Sequence, residues 1–151
     1  MDDTTAFIEL SALLTGHYNL VTDRPEKIKT FIEPVAKEYQ RRLAALFSGA
    51  APPQLTPLLN AYKTLALATP KPAIDDALLA KFRATQEFKD NEAAAKQIVN
   101  IWYISQFKPE DKPDAPTLDG GFYEEGLVWS DVKAHPIGFS HQPHGYWTKQ
   151  P

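Results

Sequence analysis

Apolar positions along this chain recur at helical spacing in five stretches. Nowhere do they alternate strictly over several residues, as a half-buried strand requires. In TTAFIELSALLTG, Phe7, Leu10, Leu13 and Leu14 fall on one stripe. Thr4 or Thr5 can cap the start and Gly16 the end, which predicts a helix over about 5–15. The longer run RPEKIKTFIEPVAKEYQRRLAALFSG carries Ile28, Phe31, Ile32, Val35, Tyr39, Leu43, Leu46 and Phe47 with a period of about 3.6. Pro25 suits a first helical turn, where its missing N–H costs nothing. Pro34 lies inside the pattern and predicts a kink, or a break into two shorter helices one turn after Phe31. A third helix over about 54–68 places Leu55, Leu58, Leu59, Tyr62 and Leu65 on one face. After the break TPKPAID, Asp75 or Asp76 opens a short helix with Leu78, Leu79 and Phe82. The last helix covers about 90–107, with Ile98, Ile101, Trp102 and Ser105 on one side.

Beyond Phe107 the pattern dissolves. KPEDKPDAPTLDGG, residues 108–121, holds three prolines and four acids and reads as an exposed connector. Residues 122–151 mix aromatics, glycine and proline, with one helical turn expected around Tyr123–Leu127. The expected architecture is all-α: a bundle of about five helices over 1–107, the Pro-rich connector, and an aromatic, extended C-terminal strap, one domain overall.

Composition narrows the field. With 151 residues, of which 43% are hydrophobic, the chain can bury a core of its own. Its net charge is −3, and Arg41-Arg42 is the longest basic run, so the electrostatic footprint of a nucleic-acid binder is missing. No apolar stretch approaches the roughly 18–20 residues of a membrane span. MDDTTAFIEL is acidic where a secretory signal is basic, so no export address is expected in these residues. The sequence has no cysteine, which removes disulfides, thiolate metal sites and cysteine nucleophiles from consideration.

The closing stretch HPIGFSHQPHGYWTKQP is the place to look for chemistry. His135, His141 and His144 form an H-x5-H-x2-H pattern, which fits no compact zinc signature and needs a fourth ligand from His17 or a carboxylate. Ser130-Asp131 and Ser140-His141 are sequence neighbours rather than a triad, and Glu124-Glu125 needs a cleft before either acid can act as a catalyst. No glycine pattern for a nucleotide is present. The aromatics Trp129, Phe139, Tyr146 and Trp147 supply instead the large, rigid, polar-tipped surface enriched at protein interfaces. The same rings could also fold back onto the bundle's own core.

Four stretches carry a family resemblance in order along most of the chain: FIELSALLTGHYNL, AKEYQRRLAALF, AAAKQIVNIWYIS and YEEGLVWSDVKAHPIGFSHQPHGYWTKQP. Together they resemble the small (gamma) subunit of membrane-bound, FAD-dependent D-sorbitol dehydrogenases and of related sugar dehydrogenase complexes. That resemblance implies an accessory, chaperone-like chain without catalytic residues, cofactor or metal of its own. FAD would lie in a large catalytic subunit, a cytochrome c subunit would join some complexes, and the assembly would be periplasmic or membrane-associated. The C-terminal segment would then be the partner interface, through Trp129, His135, Pro136, Phe139, Tyr146 and Trp147. Ser105, where glycine is expected after the Trp-Tyr pair, and the cysteine-free tail depart from the family pattern. Two other readings remain: an independent metal-binding protein or enzyme built on the tail histidines, and a free-standing helical interaction module.

Overall fold

A computed structural model of the chain describes residues 1–104 and 126–133. Helix accounts for 73% of these, with no strand among them. The all-α expectation therefore holds. The chain divides into two compact units, Met1–Ile101 and Trp102–Pro151. Residues 108–121, the expected connector, lie outside the described residues.

Helix α1 (Asp3–Thr15) is the centre of the first unit. Asp2, rather than Thr4 or Thr5, caps it, accepting from the Thr5 backbone N–H at 2.9 Å and from the Thr5 hydroxyl at 2.7 Å. Those two bonds, backbone first, hold the Asp2 carboxyl below its usual range. Gly16 ends the helix in the left-handed region at φ 75°, returning its N–H to the Ala12 carbonyl. Between these caps every residue from 6 to 13 is buried, not the single stripe that Phe7, Leu10 and Leu13 suggest. A helix covered on all sides lies inside its bundle. α1 packs against α2 (Asn19–Thr22), α4 (Glu33–Leu46), α5 (Leu55–Ala66) and α6 (Asp76–Ala84). Fully burying Phe7, Leu10 and Leu13 contributes about 1.5–3 kcal/mol each. Ser11, also at the centre, satisfies its hydroxyl on the Phe7 carbonyl at 2.6 Å.

The proline-containing run does not break. α3 (Pro25–Lys27), a π-helical turn (Ile28–Ile32) and α4 follow one another without interruption. The Glu33 N–H reaches back five residues to the Ile28 carbonyl. In a regular α-helix the Pro34 ring would strike the Thr30 carbonyl, and no N–H would be there to bond it. Widening the preceding turn relieves both problems. An inserted residue also rotates the turns on its N-terminal side relative to those on its C-terminal side. Val35, Tyr39 and Leu43 are buried on α4 as the pattern predicts, and Ile32 with them. Phe31, expected on the same face, is 58% exposed. On the outer face of α4, Glu38 accepts from Arg41 Nε and Nη2 at 2.8 and 2.7 Å and from Arg42 Nε at 2.5 Å. The Arg41-Arg42 pair is thus partly neutralised by its own helix.

Asp75 caps α6 through the Leu78 N–H, as expected. Thr85 then caps the short helix α7 (Gln86–Asp90), which the sequence pattern does not reveal, and Asn91 joins it to α8 (Glu92–Ile104). The buried Asn91 donates to the Glu87 carbonyl at 2.7 Å and accepts the Gln54 N–H at 2.5 Å. One side chain therefore ties the α7–α8 elbow to the start of α5, 37 residues away. Ile98, Ile101 and Trp102 are all buried along α8.

In the second unit the Leu127 N–H bonds the Trp102 carbonyl at 2.9 Å and leads into α9 (Val128–Asp131), whereas most of the turn expected around Tyr123–Leu127 lies outside the described residues. The Tyr103 phenol is raised by burial and by the Asp131 carboxylate that it bonds.

Candidate functional site

The described residues bring together two groups of side chains with chemical character. The first surrounds Glu9, which stands inside the apolar run FIELSALL and whose side chain is 11% exposed. Oε2 accepts from the Tyr62 hydroxyl at 3.0 Å and Oε1 from Lys71 Nζ at 2.6 Å. The partners come from α5 and from the segment before α6, 53 and 62 residues away. Burial, then the Glu9 charge, pushes the Tyr62 phenol far above its usual value, so it remains a hydrogen-bond donor. A buried carboxylate is tolerated only when paired and hydrogen-bonded, and this one has both. The cluster clamps α1, α5 and the loop at Lys71 together.

The second group is a groove of about 470 Å³ on the surface of the first unit. Leu14 of α1, Phe88 of α7, and Ala95 and Val99 of α8 form its apolar lining. Arg83, Lys89, Glu92 and Lys96 stand around it. Lys96 pairs with Glu92 at 3.3 Å across one helical turn. Arg83 and Lys89 are exposed and have no ion-pair partner among the described residues. The Phe88 ring is held from behind by Phe82, edge-on with centroids 5.3 Å apart, and Phe82 in turn stands edge-on to Tyr62 at 6.2 Å. The groove's aromatic wall is thus braced by the core that also contains Glu9. Such a surface can receive apolar side chains from another molecule.

Of the residues expected at a partner interface, Trp129 lies in α9, half-buried, its N–H bonding the Gly126 carbonyl at 3.2 Å. His135, Pro136, Phe139, Tyr146 and Trp147 lie outside the described residues, as do His141, His144 and Glu124-Glu125. His17, the suggested further metal ligand, is half-buried after α1 with its N–H on Thr15 Oγ1 at 3.2 Å. Among the described residues no three His, Asp or Glu side chains gather as a metal site would need. No described helix is long and apolar enough to cross a membrane.

Glu9 has a visible sequence signal, an acid flanked by Ile8 and Leu10 in a run that must be buried. Lys71, Arg83 and Lys89 have none, because only tertiary structure gives them their neighbours. In comparisons with protein-family models, curated proteins and solved structures, no match to this chain was found.

Proposed function

We propose that this chain is a non-catalytic small subunit of an FAD-dependent sugar or polyol dehydrogenase complex. It would support folding, maturation and export of the flavin-bearing large subunit, in a periplasmic or membrane-associated assembly that in some cases includes a cytochrome c subunit. The observation that carries this reading is the ordered resemblance along the chain, taken with where its stretches fall. FIELSALLTGHYNL forms most of α1 and runs into α2, AKEYQRRLAALF covers the rest of α4 from Ala36 onward, and AAAKQIVNIWYIS supplies α8 from Ala93 to Ile104. α1 and α8 supply three of the four apolar residues of the groove, Leu14, Ala95 and Val99. An apolar surface on a rigid helical scaffold suits a chain whose work is to cover a partner's own apolar surface. Half-buried Trp129 belongs to the fourth stretch and would add an aromatic anchor from the strap.

Co-expression with a flavoprotein large subunit encoded beside this chain tests the proposal. The expected result is a co-purifying complex in which the large subunit retains FAD, and loss of soluble, flavin-loaded large subunit when this chain is omitted. A large subunit that reaches full activity and FAD content alone, and never co-purifies, ends this reading.

A further inference from the structure

The groove beside α8 combines two kinds of recognition. Leu14, Phe88, Ala95 and Val99 offer an apolar lining, while Arg83 and Lys89 present positive charge with no partner among the described residues. This local excess of cations, three against the one carboxylate of Glu92, sits on a chain whose net charge is −3. An occupant that fits must be apolar on one face and acidic along its margin. It must also satisfy its own backbone, because no strand edge exists among the described residues for an extended peptide to join. A helix meets that requirement internally.

We infer that this groove binds an acidic amphipathic helix of a protein partner, with leucine-class side chains on Leu14, Phe88, Ala95 and Val99 and carboxylates facing Arg83 and Lys89. The inference rests on the partner-binding reading above and specifies the chemistry of the contact. Glu92 and Lys96 are already paired with each other, which leaves Arg83 and Lys89 to set orientation. Charge at the margin steers encounter and register, while the lining supplies affinity. Phe88 is a suitable anchor because Phe82 fixes its ring before any partner arrives.

The test uses the full chain and a synthetic, fluorescently labelled peptide helix with leucines at i, i+3, i+4 and i+7 and glutamates elsewhere. The expected result is saturable binding that weakens with salt. It should fall by about tenfold or more in the Arg83→Glu/Lys89→Glu double variant, both positions being exposed and the fold monitored by circular dichroism. The same peptide with lysine for every glutamate should bind the double variant better than the unaltered chain. Equal binding of both peptides to the unaltered chain overturns the inference. So does binding that ignores the double substitution, and so does capture of phosphatidylglycerol vesicles or dodecanoate in place of the acidic peptide. If the peptide fails while the flavoprotein still co-purifies, the groove assignment falls and the accessory-subunit reading stands. Peptide binding without a flavoprotein complex has the opposite meaning.

Discussion

The Tyr62 hydroxyl donates to Glu9 Oε2 at 3.0 Å across the interface between α5 and α1, with Tyr62 fully buried. Lys71 reaches the other oxygen from a side chain that is 57% exposed. The two contacts should therefore differ in worth. Tyr62→Phe removes a hydrogen bond to a charged group inside the core and should destabilise the chain by about 1.5–3 kcal/mol. Lys71→Ala should cost less than about 1 kcal/mol, because water already screens that ammonium. Urea unfolding of the two variants gives the order, and a larger loss for Lys71→Ala would contradict the buried geometry.

The π turn before Pro34 makes a second test simple. Periodicity alone ranks Phe31 and Ile32 together on the buried face. In the structure Ile32 is 9% exposed and Phe31 is 58% exposed. Ile32→Ala should cost about 2 kcal/mol or more. Phe31→Glu should stay within about 0.5 kcal/mol of the unaltered chain. Thermal or denaturant unfolding distinguishes this arrangement from an unbroken α-helix, in which both substitutions would be severe.

The outcome on this one helix shows what the sequence can convey and what it cannot. The spacing of Val35, Tyr39 and Leu43 is a local property of the chain, and it predicts their burial correctly. The displacement of Phe31 arises from how the backbone accommodates a proline three residues later. Capping signals at Gly16 and Asp75 are likewise readable, because a cap is made within a few residues. The encirclement of α1, the Glu9–Lys71 pair and the groove between α1, α7 and α8 are not. Each depends on residues brought together from distant segments, for which composition and period contain no term. Among the interface candidates only Trp129 falls within the described residues, where it sits on the short helix α9, and the rest of the strap expected for 122–151 lies almost wholly outside them.

Acid titration probes the outer face of α4. Hydrogen bonds from Arg41 and then Arg42 draw the Glu38 carboxyl down to about 2 from a usual 4.5. A carboxyl depressed in the folded state stabilises most fully above its unfolded value. Its contribution then fades as pH falls from 4.5 toward about 2. Arg41 is 67% exposed, so screening limits the effect to about 1 kcal/mol. The Glu38→Gln variant should be less stable at neutral pH by that amount, with the gap closing below 4.5. Urea unfolding at stepped pH measures it. A gap that persists unchanged in strong acid would show that the arginine fork contributes nothing through charge.

Asn91 predicts a structural loss with a local signature. Its side chain serves Gln54 N–H and the Glu87 carbonyl together while 3% exposed. Asn91→Ala leaves both without that partner and should cost about 1–3 kcal/mol. Amide hydrogen exchange should show the first turn of α5 opening faster than α1, whose caps are untouched. Uniform acceleration across both helices would mean that Asn91 does not act at this joint.

The position of α1 has a consequence for synthesis. Helix α1, against which α2, α4, α5 and α6 pack, is translated before all four, and its covers in α5 and α6 emerge some fifty to seventy residues later. Until those segments appear, only α2 and α4 can cover Phe7, Leu10 and Leu13, and the burial around α1 stays incomplete. The nascent chain therefore passes through a stage in which a greasy helix trails from the ribosome, a natural substrate for holdases that shelter unfinished polypeptides.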